Sequence, residues 1–464
     1  MATDLFIGGQ WRAAADGSTF DIANPATGEV FAQSADATVA DGLAALDAAV
    51  LAQSAWAQTE PRVRGEILRR AFELMIERSD DLAEQMTAEM GKSVAESRSE
   101  VAYAAEFLRW FSEEAVRISG RYSIAPTGDT RLLTLKQPVG PCFMITPWNF
   151  PLAMGTRKVA PALAAGCTMV IKPAGLTPLS MVSFIEILIE AGVPAGVVNL
   201  ITTTRTADVS EAIISDPRLR KLTFTGSTAV GKQLVEQSAP GLLRVSMELG
   251  GNAPFLVFED ADLEQAVAGA MFAKMRNLGE ACTSANRFLV HESLAENFSA
   301  RLAEKMEALS SAPLIDERQQ QSVAALVDDA LAQGARALCG GAKTEGPGWH
   351  YPPTVLVDVP KSARIWREEI FGPVAPIYTF SSESEALALA NDTEYGLVAY
   401  AFTRDHARVQ RLYEGLDTGM VGINQGVVSN PAAPFGGVKA SGFGREGGFE
   451  GIDEYLHVKY VGIA

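Results

Sequence analysis

Apolar positions between residues 61 and 90 recur at helical spacing, with Leu68, Phe72, Met75 and Ile76 on one face, and a second helical pattern follows over 93–118. The first quarter of the chain is therefore expected to be mostly helical. From Cys142 the pattern shortens. Apolar runs at 143–146, 168–172, 197–201, 221–225 and 244–247 are separated by Gly, Pro and segments such as 178–191 and 228–237. Those intervening segments are long enough for crossover helices, so repeated βα units and a parallel, doubly wound sheet are predicted. A second α/β region starts near 252 and runs to about 434, with strands at 288–290 and 376–380. After Phe435 the glycines Gly436, Gly437, Gly442, Gly444, Gly447 and Gly448 predict a loop with unusual backbone angles. Residues 455–461 alternate like an edge strand, which needs a pairing partner and is expected to find it in another subunit. No internal repeat is visible.

Composition narrows the partners. The 464 residues carry 39 Lys+Arg against 56 Asp+Glu, a formal charge of −17. Nucleic acid and anionic membranes both require a basic face, so neither is expected as a partner. The longest apolar run, 159–171, contains Pro161 and falls short of the ~20 residues that cross a bilayer. The opening residues lack the basic and then apolar pattern of a secretory signal, so a soluble cytoplasmic protein is expected. Cys142, Cys167, Cys282 and Cys339 form no CxxC pair, and His291, His350, His406 and His457 never fall at metal-ligand spacing. Neither a disulfide framework nor a metal site is predicted, and at most one cysteine has chemistry to do.

Four segments could carry that chemistry. Residues 221–231 read as a strand, a glycine turn at Gly226 and a helix start at Ser227. Free N–H groups there could hold a pyrophosphate, although a simple capped helix has the same pattern. Lys172 closes a neighbouring strand and would project into the same crevice. Cys282 follows a glycine-containing turn that could aim its thiol into a cleft; a buried inert thiol is the plainer alternative. Glu248 ends an apolar strand, where a carboxyl can have a raised pKa and act as a base, or can simply serve a structural ion pair. Asn149 lies between Pro147 and Pro151, which would fix its amide as an oxyanion donor or merely mark a turn.

Taken in order, the motifs Pro-Trp-Asn-Phe-Pro (147–151), Lys-Pro-Ala (172–174), Phe-Thr-Gly-Ser (224–227), Glu-Leu-Gly-Gly (248–251), Gly-x-x-Cys (279–282), Glu-Glu-Ile-Phe-Gly-Pro (368–373) and Pro-Phe-Gly-Gly (434–437) resemble the NAD(P)-dependent aldehyde dehydrogenase superfamily over essentially the whole chain. The resemblance implies an α/β fold with a Rossmann-like cofactor domain (1–120 and 139–249) and an α/β catalytic domain (250–434). It also implies a small β oligomerisation element (121–138 and 450–464), with 435–449 as a Gly-rich connecting loop and a homodimer or homotetramer as the assembly. By the same resemblance Cys282 is the nucleophile, Glu248 activates water, and Asn149 with the Cys282 N–H holds the oxyanion. Lys158 is expected near Asn149, Glu369 and Phe371 at the nicotinamide ribose and ring, and Thr146, Trp148, Lys172, Gly175, Gly226 and Ser227 around the adenosine and pyrophosphate.

Within the superfamily, Thr156-Arg-Lys, Met275-Arg-Asn, Val428-Ser-Asn and Gly451-Ile-Asp-Glu-Tyr-Leu resemble bacterial succinate-semialdehyde dehydrogenases. That likeness implies that Arg157, Arg276 and Ser429 bind the far carboxylate of a small aldehyde, with glutarate semialdehyde as the alternative substrate. Three positions depart from the pattern. Glu280 stands where Gln is usual and is expected to point away from the pocket, since a carboxylate beside the thiol would raise its pKa. Ser284 replaces a second cysteine, so no local disulfide switch is expected. Gly175 replaces the Glu that binds the adenosine ribose in NAD-preferring members, so NADP is favoured and NAD is the second choice.

Overall fold

The computed structural model describes residues 4–464; residues 1–3, where the expected cofactor domain opens, lie outside them. Two α/β sheets organise the chain. The first has eight strands in the order Gln10–Arg12, Leu5–Ile7, Val198–Leu200, Met169–Lys172, Cys142–Ile145, Lys221–Thr225, Arg244–Glu248 and Gly442–Phe443. Its five inner strands are parallel, and the pairs at either edge are antiparallel. Cys142–Ile145 and Met169–Lys172 are buried along their whole length, as expected of strands covered by helices on both faces. The second sheet has seven strands in the order Arg336–Cys339, Thr354–Val357, Val374–Phe380, Ala285–His291, Ala253–Val257, Val398–Phe402 and Met420–Ile423, all parallel except the first. No helix among the described residues is long and apolar enough to cross a membrane.

The helix Ala153–Ala165 is buried at every position, because it runs between the first sheet and the long helices Pro61–Glu77 and Val94–Glu114. Leu68, Met75, Phe107 and Phe111 from those helices share one apolar core with Leu152, Val159 and Leu163. The first quarter is mostly helical, as its periodicity predicts, but it also holds strands that the pattern does not show. Leu5–Ile7, Gln10–Arg12, Thr19–Ala23 and Val30–Ala35 are strands, too short to display a periodic pattern.

One expectation about the C-terminal region changes, and the terminal strand gains an intrachain partner on one side. Part of the glycine-rich segment is a strand, Gly442–Phe443, laid antiparallel on Met247 and Glu248. Gly442 has φ +102, and a Cβ there would stand 2.0 Å from the Met247 carbonyl oxygen, so only glycine allows this approach. The terminal strand Leu456–Ile463 pairs within its own chain, with Arg131–Pro138, which pairs in turn with Arg121–Ile124. Among the described residues both edge strands of this sheet have an unpaired side, with Tyr122 and Ile124 exposed on one strand and Val458 and Tyr460 on the other.

Candidate active site

Strands of the first sheet end together at Ile145, Lys172, Thr225 and Glu248, and the residues that follow them form one side of a cavity of ≈ 290 Å³. Trp148, Asn149, Arg157, Gly226, Ser227 and Glu248 line this side; Arg276, Cys282, Glu369, Phe371 and Ser429 line the other. Eleven of the fifteen candidate residues named from sequence thus face one space.

Cys282 is half-buried in this cavity. Burial pushes its thiol up to about 12; Arg157 and Arg276 oppose the rise, while Glu248 and Glu369 add to it. The turn before Cys282 is tight: Gly279 has φ +77, and a Cβ there would meet the Gly372 carbonyl oxygen at 2.2 Å. Glu280 is turned out of the cavity, with its Oε1 accepting from the Ile315 N–H at 3.1 Å. Its main-chain oxygen accepts from Asn149 Nδ2 at 2.9 Å, which places that amide beside the cysteine turn.

Glu248 is buried, and neither of its carboxyl oxygens has a hydrogen-bond partner. Burial first and then the Glu446 carboxylate raise its pKa well above the usual range, against the pull of Arg157 and Lys158. Glu369 is pushed up to about 7 by burial, against the N–H of Gly251, which donates to its Oε1 at 2.9 Å, and the charge of Lys274. Phe371 packs edge-on against Trp148 with ring centroids 5.3 Å apart, and Gln319 Nε2 fixes its carbonyl at 2.8 Å.

Four candidates lie outside the lining. Lys158 makes no hydrogen bond to Asn149 among the described residues; its Nζ donates to Glu446 Oε1 at 2.5 Å and to Thr223 Oγ1 at 3.0 Å. Arg157 shares that counter-ion, with Nη2 at 2.9 Å from Glu446 Oε2 but out of line for a hydrogen bond, and its face lies 3.9 Å from the Phe435 ring centre. Burial would raise the Glu446 carboxyl, yet the two cations outweigh it and hold the pKa low. Thr146 donates its N–H to the Lys172 carbonyl at 3.1 Å, so these two lie side by side at the strand ends. The Lys172 ammonium is buried, donates only to Pro173 O at 3.3 Å, and has no carboxylate within ion-pair distance among the described residues. Burial lowers it to about 8. Gly175 has room for a side chain, since a Cβ would meet nothing closer than 3.7 Å.

Sequence motifs missed Glu446 and Lys92. Lys92 Nζ, and not Lys158, is the ammonium next to Asn149, donating to its carbonyl at 3.1 Å. Glu446 stands among glycines, and Lys92 follows one; a charged residue of no obvious use in such a turn is the only signal either gives.

The comparisons agree with the geometry. The profile of the aldehyde dehydrogenase family matches residues 11–461. The chain belongs to the aldehyde dehydrogenase family. Among members of this family, a succinate-semialdehyde dehydrogenase of Paenarthrobacter nicotinovorans is 57% identical over 93% of this chain and 98% of its own. A glutarate-semialdehyde dehydrogenase of Pseudomonas putida is 47% identical over 99% and 97%. A crystal structure described as an E. coli NADP dependent enzyme superposes with a TM-score of 0.98 at 47% identity, covering 100% of this chain and 98% of that one. The aldehyde dehydrogenase fold, with its two parallel α/β sheets, is therefore that of this protein.

Proposed function

We propose that the protein oxidises succinate semialdehyde to succinate with NADP. The observation that carries the substrate is Arg276. Its guanidinium lines the same cavity as Cys282, lies 5.0 Å from the Phe150 ring centre and 5.6 Å from that of Tyr103, and has no carboxylate within ion-pair distance among the described residues. A half-buried arginine left in this state suits a carboxylate on the far end of a substrate, with Ser429 as a further donor. The 57% identical succinate-semialdehyde dehydrogenase supports the same substrate. Glutarate semialdehyde is the second choice, supported by the Pseudomonas putida relative, because one extra methylene shifts discrimination by only about 1–3 kcal/mol.

In this reading the Cys282 thiol gives its proton to solvent water, the thiolate sulfur bonds to the aldehyde carbon as the C=O π pair moves onto oxygen, and the oxyanion so formed is held by Asn149 Nδ2 and the Cys282 N–H. The dinucleotide, when bound, would accept the hydride; as the C–H bond of the Cys282 adduct breaks, the oxyanion pair re-forms C=O and leaves a Cys282 thioester. Glu248 then removes a proton from the water that cleaves the thioester, and its raised pKa makes it a stronger base than an ordinary carboxylate. The Thr225-Gly226-Ser227 turn, which starts the helix Thr228–Ser238, suits a pyrophosphate, and Glu369 and Phe371 suit the nicotinamide end. The lone buried ammonium of Lys172 and the open space at Gly175 favour a 2′-phosphate. The exposed apolar residues on the three-stranded sheet support a homodimer or homotetramer.

A steady-state panel of aldehydes tests the assignment. Succinate semialdehyde should exceed butanal in kcat/KM by roughly a hundredfold or more, since a site built to bond a polar group rejects an analogue without it. Comparable values would remove the carboxylate from the proposal. Gly175→Glu should swing the preference from NADP toward NAD by about tenfold or more, through repulsion of the 2′-phosphate. An unchanged ratio would place cofactor choice elsewhere.

A further inference from the structure

Two walls of the cavity have to keep a fixed separation, because the oxyanion donors come one from each: Asn149 Nδ2 from the first sheet and the Cys282 N–H from the cysteine turn. Asn149 Nδ2 itself reaches the Glu280 carbonyl at 2.9 Å, and a second side chain, Asn277, braces the same two walls from behind. Its Nδ2 donates to Asn149 O at 2.9 Å and to Glu280 O at 2.9 Å. Its Oδ1 accepts from Lys92 Nζ at 2.9 Å. Lys92 also donates to Asn149 O and pairs with the Glu100 carboxylate, whose other oxygen takes the N–H groups of Leu152 and Ala153 at 3.0 Å each. Those two N–H groups open the helix that carries Arg157 and Lys158. Lys92, Glu100, Asn149 and Asn277 are at most 5% exposed, so water does not compete for these bonds.

Asn277 lies outside the cavity lining and holds a left-handed backbone, φ +55, which asparagine tolerates better than most residues. Without its amide, the carbonyl oxygens of Asn149 and Glu280 would lose the donor they share. We infer that Asn277, anchored by Lys92, is the positioning residue of the oxyanion hole. This rests on the roles proposed above for Asn149 and Cys282. The amide reinforces the distance that the Asn149–Glu280 bond spans, and it touches neither substrate nor cofactor. A misplacement of about 1 Å at such a site costs roughly a hundredfold in rate.

The test is a double-mutant cycle on kcat/KM for succinate semialdehyde. Asn277→Gly keeps the left-handed backbone and removes only the amide. It should lower kcat/KM roughly ten- to a hundredfold, and Asn149→Ala should lower it roughly a hundred- to a thousandfold. The double variant should fall within about threefold of Asn149→Ala alone, because once the donor is gone its position no longer matters. Alkylation of Cys282 by iodoacetamide forms no oxyanion and should keep its wild-type rate in Asn277→Gly. If that variant does not fold, Lys92→Met takes its place in the cycle. Losses that multiply in the double variant, or alkylation that slows in parallel with turnover, overturn the inference. An undiminished Asn149→Ala enzyme would instead remove the oxyanion role of Asn149, and the inference with it.

Discussion

Arg157 and Arg276 face one cavity with the same guanidinium and opposite surroundings. Arg157 is buried in a helix, 2.9 Å from Glu446 and stacked on Phe435. Arg276 ends the helix Leu263–Met275 on the opposite wall, between the faces of Phe150 and Tyr103. The first cation already has its counter-ion and belongs to the charge balance of the scaffold. The second is held by ring faces, which attract a cation without neutralising it, so its charge remains available to an incoming anion. Residue type alone does not separate the two arginines; the neighbouring carboxylate does.

The largest expected effect comes from removing that carboxylate. Glu446→Ala leaves two buried cations, Arg157 and Lys158, without their shared partner and should cost about 3–5 kcal/mol in urea unfolding. An unchanged unfolding midpoint would dissolve the contrast between the two arginines. Arg276→Leu should act on catalysis and spare stability. It should cost about 1.5–3 kcal/mol in kcat/KM for the carboxylated aldehyde, the worth of a hydrogen bond to a charged group, with butanal unaffected. Equal losses on both aldehydes would mean that Arg276 shapes the pocket and does not read the carboxylate.

The smallest effect concerns the thiol. With Cys282 pushed up to about 12, iodoacetamide inactivation should speed up about tenfold per pH unit, since the thiolate is the reacting form and its fraction grows tenfold per unit below the pKa. No plateau should appear before the pH nears that value. Both arginines favour the thiolate, and Arg157 does so more strongly, so loss of either cation raises the pKa and slows alkylation at fixed pH. Arg157→Leu should slow it more than Arg276→Leu, and the reverse order would contradict the ranking of the two charges.

The inner strands of the first sheet were legible to within a residue or two, because strands buried on both faces are continuous apolar runs. The run at 168–172 became Met169–Lys172, and that at 221–225 became Lys221–Thr225. The three-residue strands Leu5–Ile7 and Gln10–Arg12 were not legible, since three positions cannot show a period. In the site, Asn149, Glu248 and Cys282 each stand in a recognisable motif, and the structure brings them to one cavity. Glu446 and Lys92 have no such mark. Their partners Lys158 and Asn277 are 288 and 185 residues away, and contacts of that range leave no local periodicity. The ion pair of Lys158 was illegible for this reason: the carboxylate that holds its ammonium is distant in sequence.

The reach of Glu446 also has a consequence for the order of synthesis. Its 288-residue separation from Lys158, at roughly 5–20 residues per second, means that on the order of 15–60 s pass between translation of the cation and of its counter-ion. The strand Gly442–Phe443 that completes the first sheet is equally late. A nascent chain must therefore carry Arg157 and Lys158 uncompensated for most of its time on the ribosome, either solvated in an unfinished core or shielded by whatever binds the emerging polypeptide.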